Sequence, residues 1–137
     1  ELVKDRKDYE VASAGVGAMP GQPPSPHTTA ILKEQGIDTS KFRSQPLTFD
    51  LIRAATHVFA MAGQHLRLIE LDFPDLASKT YLVTEFAADD SIRGRDVADP
   101  IGGGRAAYEE TRAMLRAALP SVLSYVDQTW SGERDPA

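Results

Sequence analysis

The chain has no cysteine in its 137 residues. That absence excludes disulfides, thiolate zinc sites and any thiol nucleophile among these residues. It carries no information about redox compartment, because there is no thiol to oxidise. Long apolar runs are lacking as well: the longest, Val58 to Ala62, is far too short to cross a bilayer. No basic stripe is present. The 15 Lys and Arg are scattered among 20 Asp and Glu, and a formal net charge of −5 argues against nucleic acid as a partner. The opening Glu1-Leu2-Val3-Lys4-Asp5-Arg6-Lys7 is charged and does not read as a secretory signal, so cytoplasm is the default expectation. With 42% hydrophobic and 26% charged residues, the composition is that of an ordinary globular protein. The length predicts a single domain over residues 1–130, followed by a flexible tail over 131–137.

Short apolar runs alternate with longer amphipathic ones, the pattern of βα units around a parallel sheet. Tyr9–Ser13 reads as a strand ending in the turn Ala14-Gly15, and residues 16–24 as a Gly- and Pro-rich loop. Ser25 reads as an N-cap with Pro26 at the first helical position. That helix is expected to reach about Gln35, with Gly36 left-handed and Ile37 folding back on the last turn. Thr48 resembles a second N-cap, ahead of Asp50, Leu51, Ile52 and Ala55. His57–Met61 is the best buried-strand candidate, Gln64–Leu71 a helix, and Thr80–Thr84 another strand. Glu85–Gly104 forms a long polar loop of the kind that carries function. A last helix has apolar positions Tyr108, Leu115, Leu119, Val122 and Val126, and Pro120 is expected to kink or break it.

The long loop contains Asp96-Val97-Ala98-Asp99-Pro100-Ile101-Gly102-Gly103. A carboxylic acid on such a glycine-rich segment can give a proton to a leaving oxygen. On residues alone, the reading of Asp99 as a turn or capping aspartate, for which Asp-Pro is common, outweighs the acid. Asp96 reads as a loop or capping carboxylate rather than a second acid. His27, His57 and His65 lie on three elements without metal-ligand spacing, so no metal site is expected. Gly15-Val16-Gly17 completes no dinucleotide fingerprint, and Gly102-Gly103-Gly104 lacks the Lys-Ser/Thr of a phosphate-binding P-loop.

Taken together, Ser13-Ala14-Gly15-Val16, Gly21, Pro26-His27, Gly36-Ile37, Pro46-Leu47-Thr48, Ala60-Met61, Gln64-His65 and Asp96-x-x-Asp99-Pro100-x-Gly102-Gly103 resemble the bacterial low-molecular-weight protein tyrosine phosphatases, close to their protein arginine phosphatase branch. The resemblance runs from about Val11 to about Leu123. It implies an α/β fold: a three-layer, flavodoxin-like parallel sheet in the order 2-1-3-4 with helices on both faces. It implies a hydrolase acting on a phosphorylated protein through a cysteinyl-phosphate, with no cofactor and no metal. Asp99 becomes the general acid and base, Ser13 a brace for the phosphate loop through its hydroxyl, and Pro100 and Ile101 a wall beside the substrate. Phosphotyrosine is the first expectation for the substrate and phosphoarginine the second.

The family's Cys-x5-Arg loop has no counterpart in these residues, nor does the first, central strand that precedes it. The missing portion is about 20–25 residues at ordinary element lengths. Without that strand, Tyr9–Ser13 and His57–Met61 would lie about 9.5 Å apart, two strand spacings. The expectation is therefore a domain incomplete at its N-terminal side, inactive as written, with a dimer or strand exchange filling the slot if the chain is truly truncated. The alternative is a catalytically inactive binding or oligomerisation module that kept the scaffold. Two further departures stand out: Ile101 where relatives carry an aromatic residue, and Ser40-Lys41-Phe42 where they often carry a histidine.

Overall fold

The computed structural model describes residues 1–130, so the tail expected over 131–137 lies outside the described residues. The chain divides into two compact units, Glu1–Thr48 and Phe49–Ala137.

The first unit is organised by α1, Pro26–Glu34. Its start follows from Ser25, whose hydroxyl accepts the Thr28 N–H at 3.3 Å, and from Pro26, which has no N–H to satisfy. Its end follows from Gly36 at φ +75°, where a side chain would be strained. The Gly36 and Ile37 N–H groups then fold back onto the Lys33 and Leu32 carbonyls at 3.0 and 2.9 Å. The helix buries Ile31. The strand expected over Tyr9–Ser13 does not form. Among the described residues, parallel pairing in this unit is reduced to one bridge, Gly15 with Pro46, made by Gly15 N–H to Gln45 O and Leu47 N–H to Gly15 O, each 3.0 Å. A strand exists only where a neighbour takes its N–H and C=O groups. No described residue forms a ladder with 9–13, and Val11 stands 74% exposed.

The second unit runs α2 (Phe49–Ala54), β1 (Val58–Ala60), α3 (Gly63–Asp72), a 3-10 turn (Pro74–Lys79), β2 (Thr80–Leu82) and α4 (Arg105–Thr129). β1 and β2 pair in parallel, Val58 with Thr80, Phe59 with Tyr81 and Ala60 with Leu82. Both strands are shorter than the sequence suggests. Val83 N–H closes the last rung on Ala60 O at 2.9 Å, and the chain then turns, with Glu85 N–H on Leu82 O. α3 contacts both strands. α2 is held at its end by Lys79, whose ammonium donates to the Ala55 and Arg53 carbonyls at 2.5 and 3.2 Å.

The core of this unit is Val83, Val97 and Val122, packed with Phe59, Met114, Leu115, Leu119 and Val126. Four of these side chains and Val122 come from α4, at the helical spacing read from the sequence. The break expected at Pro120 does not occur: α4 runs unbroken for 25 residues. Proline removes one backbone bond, the one to the Arg116 carbonyl. Pro120 and Arg116 are exposed, so water can take that carbonyl, while Leu115, Leu119 and Val122 hold the helix on both sides of the gap.

Candidate active site

The loop between β2 and α4 carries Asp99, and the four residues ahead of it are tied to four separate parts of the unit. The Arg95 carbonyl accepts the Thr84 hydroxyl at 2.6 Å. The Asp96 carboxylate accepts the Gly63 N–H, first of α3, at 2.9 Å. The Val97 N–H donates to the Met61 carbonyl at 2.7 Å, and its side chain is buried in the core. The Ala98 carbonyl accepts the hydroxyl of Thr111, from α4, at 3.1 Å. Met61 and Thr84 lie just past the carboxyl ends of β1 and β2. That edge is where parallel α/β sheets bind their ligands.

The turn itself is equally defined. Asp99 Oδ1 accepts the Ile101 N–H at 3.0 Å, closing an Asx turn, and Gly103 N–H donates to the Pro100 carbonyl at 2.8 Å. Gly102 has φ +81°, a conformation that side-chain-bearing residues rarely adopt. A Cβ at Gly103 would stand 2.8 Å from the Ala107 Cβ and 3.0 Å from the Pro100 carbonyl oxygen, so the turn packs tightly on the first turn of α4. Asp99 is exposed, and Ile101, at 77% exposure, stands out on the rim beside it.

Of the residues singled out in the sequence, Asp99, Pro100 and Ile101 therefore share one turn. Asp96 is a capping carboxylate, as its position suggested, but for α3 rather than for a local element. Ser13 belongs to the Glu1–Thr48 unit, where its carbonyl accepts the Gln45 side-chain amide at 2.9 Å. The three histidines form no metal cluster among the described residues. Thr84 and Thr111 escaped the sequence reading, because a lone threonine gives no sign of a partner that is distant along the chain. Thr84 is fully buried, and its carbonyl also accepts the Ala87 and Gly94 N–H groups at 3.1 and 3.2 Å. Before Asp96 the loop is braced by Arg93, which donates to the Ala87 and Ala88 carbonyls and pairs with Asp90. The Ser91 hydroxyl and N–H hold the Asp89 carboxyl below the usual carboxylate range.

A family model described as low molecular weight phosphotyrosine protein phosphatase matches residues 1–131. The chain belongs to that family, and the enzyme class of the family is hydrolase. It is 37% identical over 116 residues to the protein-arginine-phosphatase of Geobacillus stearothermophilus, covering 85% of this chain and 76% of the relative. It is 30% identical over 109 residues to the probable low molecular weight protein-tyrosine-phosphatase EpsP of Ralstonia solanacearum, covering 80% and 71%. The solved structure of the YwlE arginine phosphatase from Geobacillus stearothermophilus aligns with a TM-score of 0.74 at 32% identity, over 96% of this chain and 86% of that one. The low molecular weight protein tyrosine phosphatase from T. tengcongensis aligns with a TM-score of 0.77 at 32% identity, over 87% and 79%. The fold is thus the flavodoxin-like α/β fold of these structures. Among the described residues, no helix is long and apolar enough to cross a membrane.

Proposed function

We propose that the protein hydrolyses phosphate from a phosphorylated protein side chain through a cysteinyl-phosphate, with Asp99 as its acid and base. The observation that carries this reading is the four-point anchoring of residues 95–98, which presents an exposed carboxyl on a rigid turn at the carboxyl edge of the sheet. In the first step the sulfur bonds to phosphorus, the bond from phosphorus to the leaving atom breaks, and Asp99 gives that atom its proton. In the second step water attacks phosphorus, Asp99 takes the water proton, and the S–P bond breaks to release inorganic phosphate. The sulfur and its Cys-x5-Arg loop are not among the 137 residues, so in this reading they come from sequence outside them. Ser13 braces that loop, and Pro100 and Ile101 border the substrate.

Phosphotyrosine is the first substrate of this reading. One observation favours the second, phosphoarginine: Ile101 offers no ring on which an aryl phosphate could stack. Similarity to protein-arginine phosphatases points the same way. The intact mass of the protein as its host makes it, read together with turnover of p-nitrophenyl phosphate, tests the proposal. A species heavier than 14.9 kDa that contains cysteine and turns over supports the enzyme. A 14.9 kDa species with no turnover refutes it in favour of a non-catalytic module, the reading that the cysteine-free sequence supports.

A further inference from the structure

We infer that Asp96 is a positioning residue for Asp99: its carboxylate, seated on the first N–H of α3, fixes where the acid stands. The inference rests on the phosphatase reading above. α3 begins without local help. Its N-cap is Ala62, which has no side-chain acceptor, and its first turn contains no acidic residue. The N-terminal N–H groups of a helix need acceptors, and a negative charge there is favoured by the helix dipole. Asp96 supplies both from 33 residues further along the chain, at 2.9 Å from the Gly63 nitrogen. A cation lies nearby: a Cβ at Gly63 would make ordinary contacts, 3.4 Å from an Arg67 guanidinium nitrogen and 3.8 Å from Asp96 Oδ1.

Of the four anchors ahead of Asp99, this is the one made by a side chain of the segment itself. The others use the Arg95 and Ala98 carbonyls and the Val97 N–H. Substitution at 96 therefore releases one anchor and leaves the other three in place. Asp99 follows three residues later, and with its segment loosened it would hold the proton-transfer geometry for less of the time. Transfer of a proton to a poor leaving group is the step most sensitive to that loss. An oxygen already engaged by a backbone N–H also argues for an anchor here rather than for a second acid.

The test uses Asp96→Asn and Asp96→Ala in the complete natural protein. With phenyl phosphate, whose leaving group needs the proton, kcat/KM, which reports the step that expels the leaving group, should fall about tenfold or more. With p-nitrophenyl phosphate, whose leaving group scarcely needs it, the loss in kcat/KM should be less than about threefold, while the shared second step lets kcat fall for both. In an Asp99→Asn background, Asp96→Asn should change kcat by less than about twofold, because the group it positions is gone. Equal losses in kcat/KM on both substrates, or the same loss with Asp99 replaced, would overturn the inference. Amide exchange reads the anchor without activity: in Asp96→Ala, Gly63 and residues 97–103 should exchange about tenfold faster while the α4 core amides stay unchanged. Unchanged exchange at Gly63 and 97–103 would also overturn it. If Asp99→Asn itself keeps full turnover, the acid assignment is what fails, and the exchange result still decides whether Asp96 holds the turn.

Discussion

The Val97 N–H meets the Met61 carbonyl at 2.7 Å, so the segment that delivers Asp99 starts where β1 ends. Residue 97 does two jobs at once. Its backbone continues the hydrogen bonding of the sheet, and its side chain packs with Val83 and Val122 in the core. The exposed Asp99 carboxyl is therefore coupled to the packed core of the unit. In the proposed reaction that coupling matters, because a carboxyl on a mobile loop makes a poor proton donor.

Thr84→Val should be among the costliest substitutions outside the apolar core. The side chain is fully buried and donates to the Arg95 carbonyl at 2.6 Å. Valine keeps the shape and strands that carbonyl, a loss of about 1–3 kcal/mol measured by urea denaturation. Thr84→Ser, which retains the hydroxyl, should recover most of it.

Gly103→Ala should move the acid turn. Its Cβ would be driven onto the Ala107 Cβ and the Pro100 carbonyl oxygen, and neither is the far end of a flexible side chain. A cost of about 1–3 kcal/mol is expected, with changed amide shifts over residues 99–107. Gly17→Ala, where nothing lies within 4 Å, is the control and should be close to neutral.

Acid should loosen the far end of α4 through His57. The ring bridges Thr56 Oγ1 at 2.9 Å and Thr129 Oγ1 at 2.8 Å. The Thr129 hydroxyl already gives its proton to the Tyr125 carbonyl at 2.7 Å, so it must accept from His57, which fixes the neutral ring with its proton on Nε2. Burial holds the imidazole below the ordinary histidine value. The unfolded chain, titrating near about 6.5, then binds more protons than the folded one between the two values. Stability is complete above that ordinary value and is lost as pH falls towards the lowered one. Thermal melts across this window should show the loss in the native chain and a smaller one in His57→Gln.

Pro120→Ala should stabilise α4. Alanine restores an N–H to the Arg116 carbonyl and gains helix propensity, offset in part by a more flexible unfolded chain. A net gain of about 1–2 kcal/mol is expected, seen as a higher denaturation midpoint.

What could be read from the sequence was mostly local. Ser25 with Pro26, and Gly36 with Ile37, set both ends of α1 because capping is decided within a few residues. The spacing of Leu115, Leu119, Val122 and Val126 gave the buried face of α4. Features that depend on distant partners came out differently. Tyr9–Ser13 has strand-forming residues but, among the described residues, no ladder to join, and Pro120 was outvoted by the packing on either side of it. The site shows the same division. Asp99, Pro100 and Ile101 stood out as a motif, whereas Gly63, Met61, Thr84 and Thr111, which hold the segment in place, are ordinary residues that only the fold brings to it.

The most direct measurement is kcat for phenyl phosphate hydrolysis by the complete natural protein and its Asp99→Asn variant, with KM determined alongside. A carboxyl that protonates the leaving oxygen is worth about 10²–10⁴ in rate, so a fall of that size at nearly constant KM is predicted. A variant that turns over within about twofold of the native protein would contradict the role assigned to Asp99.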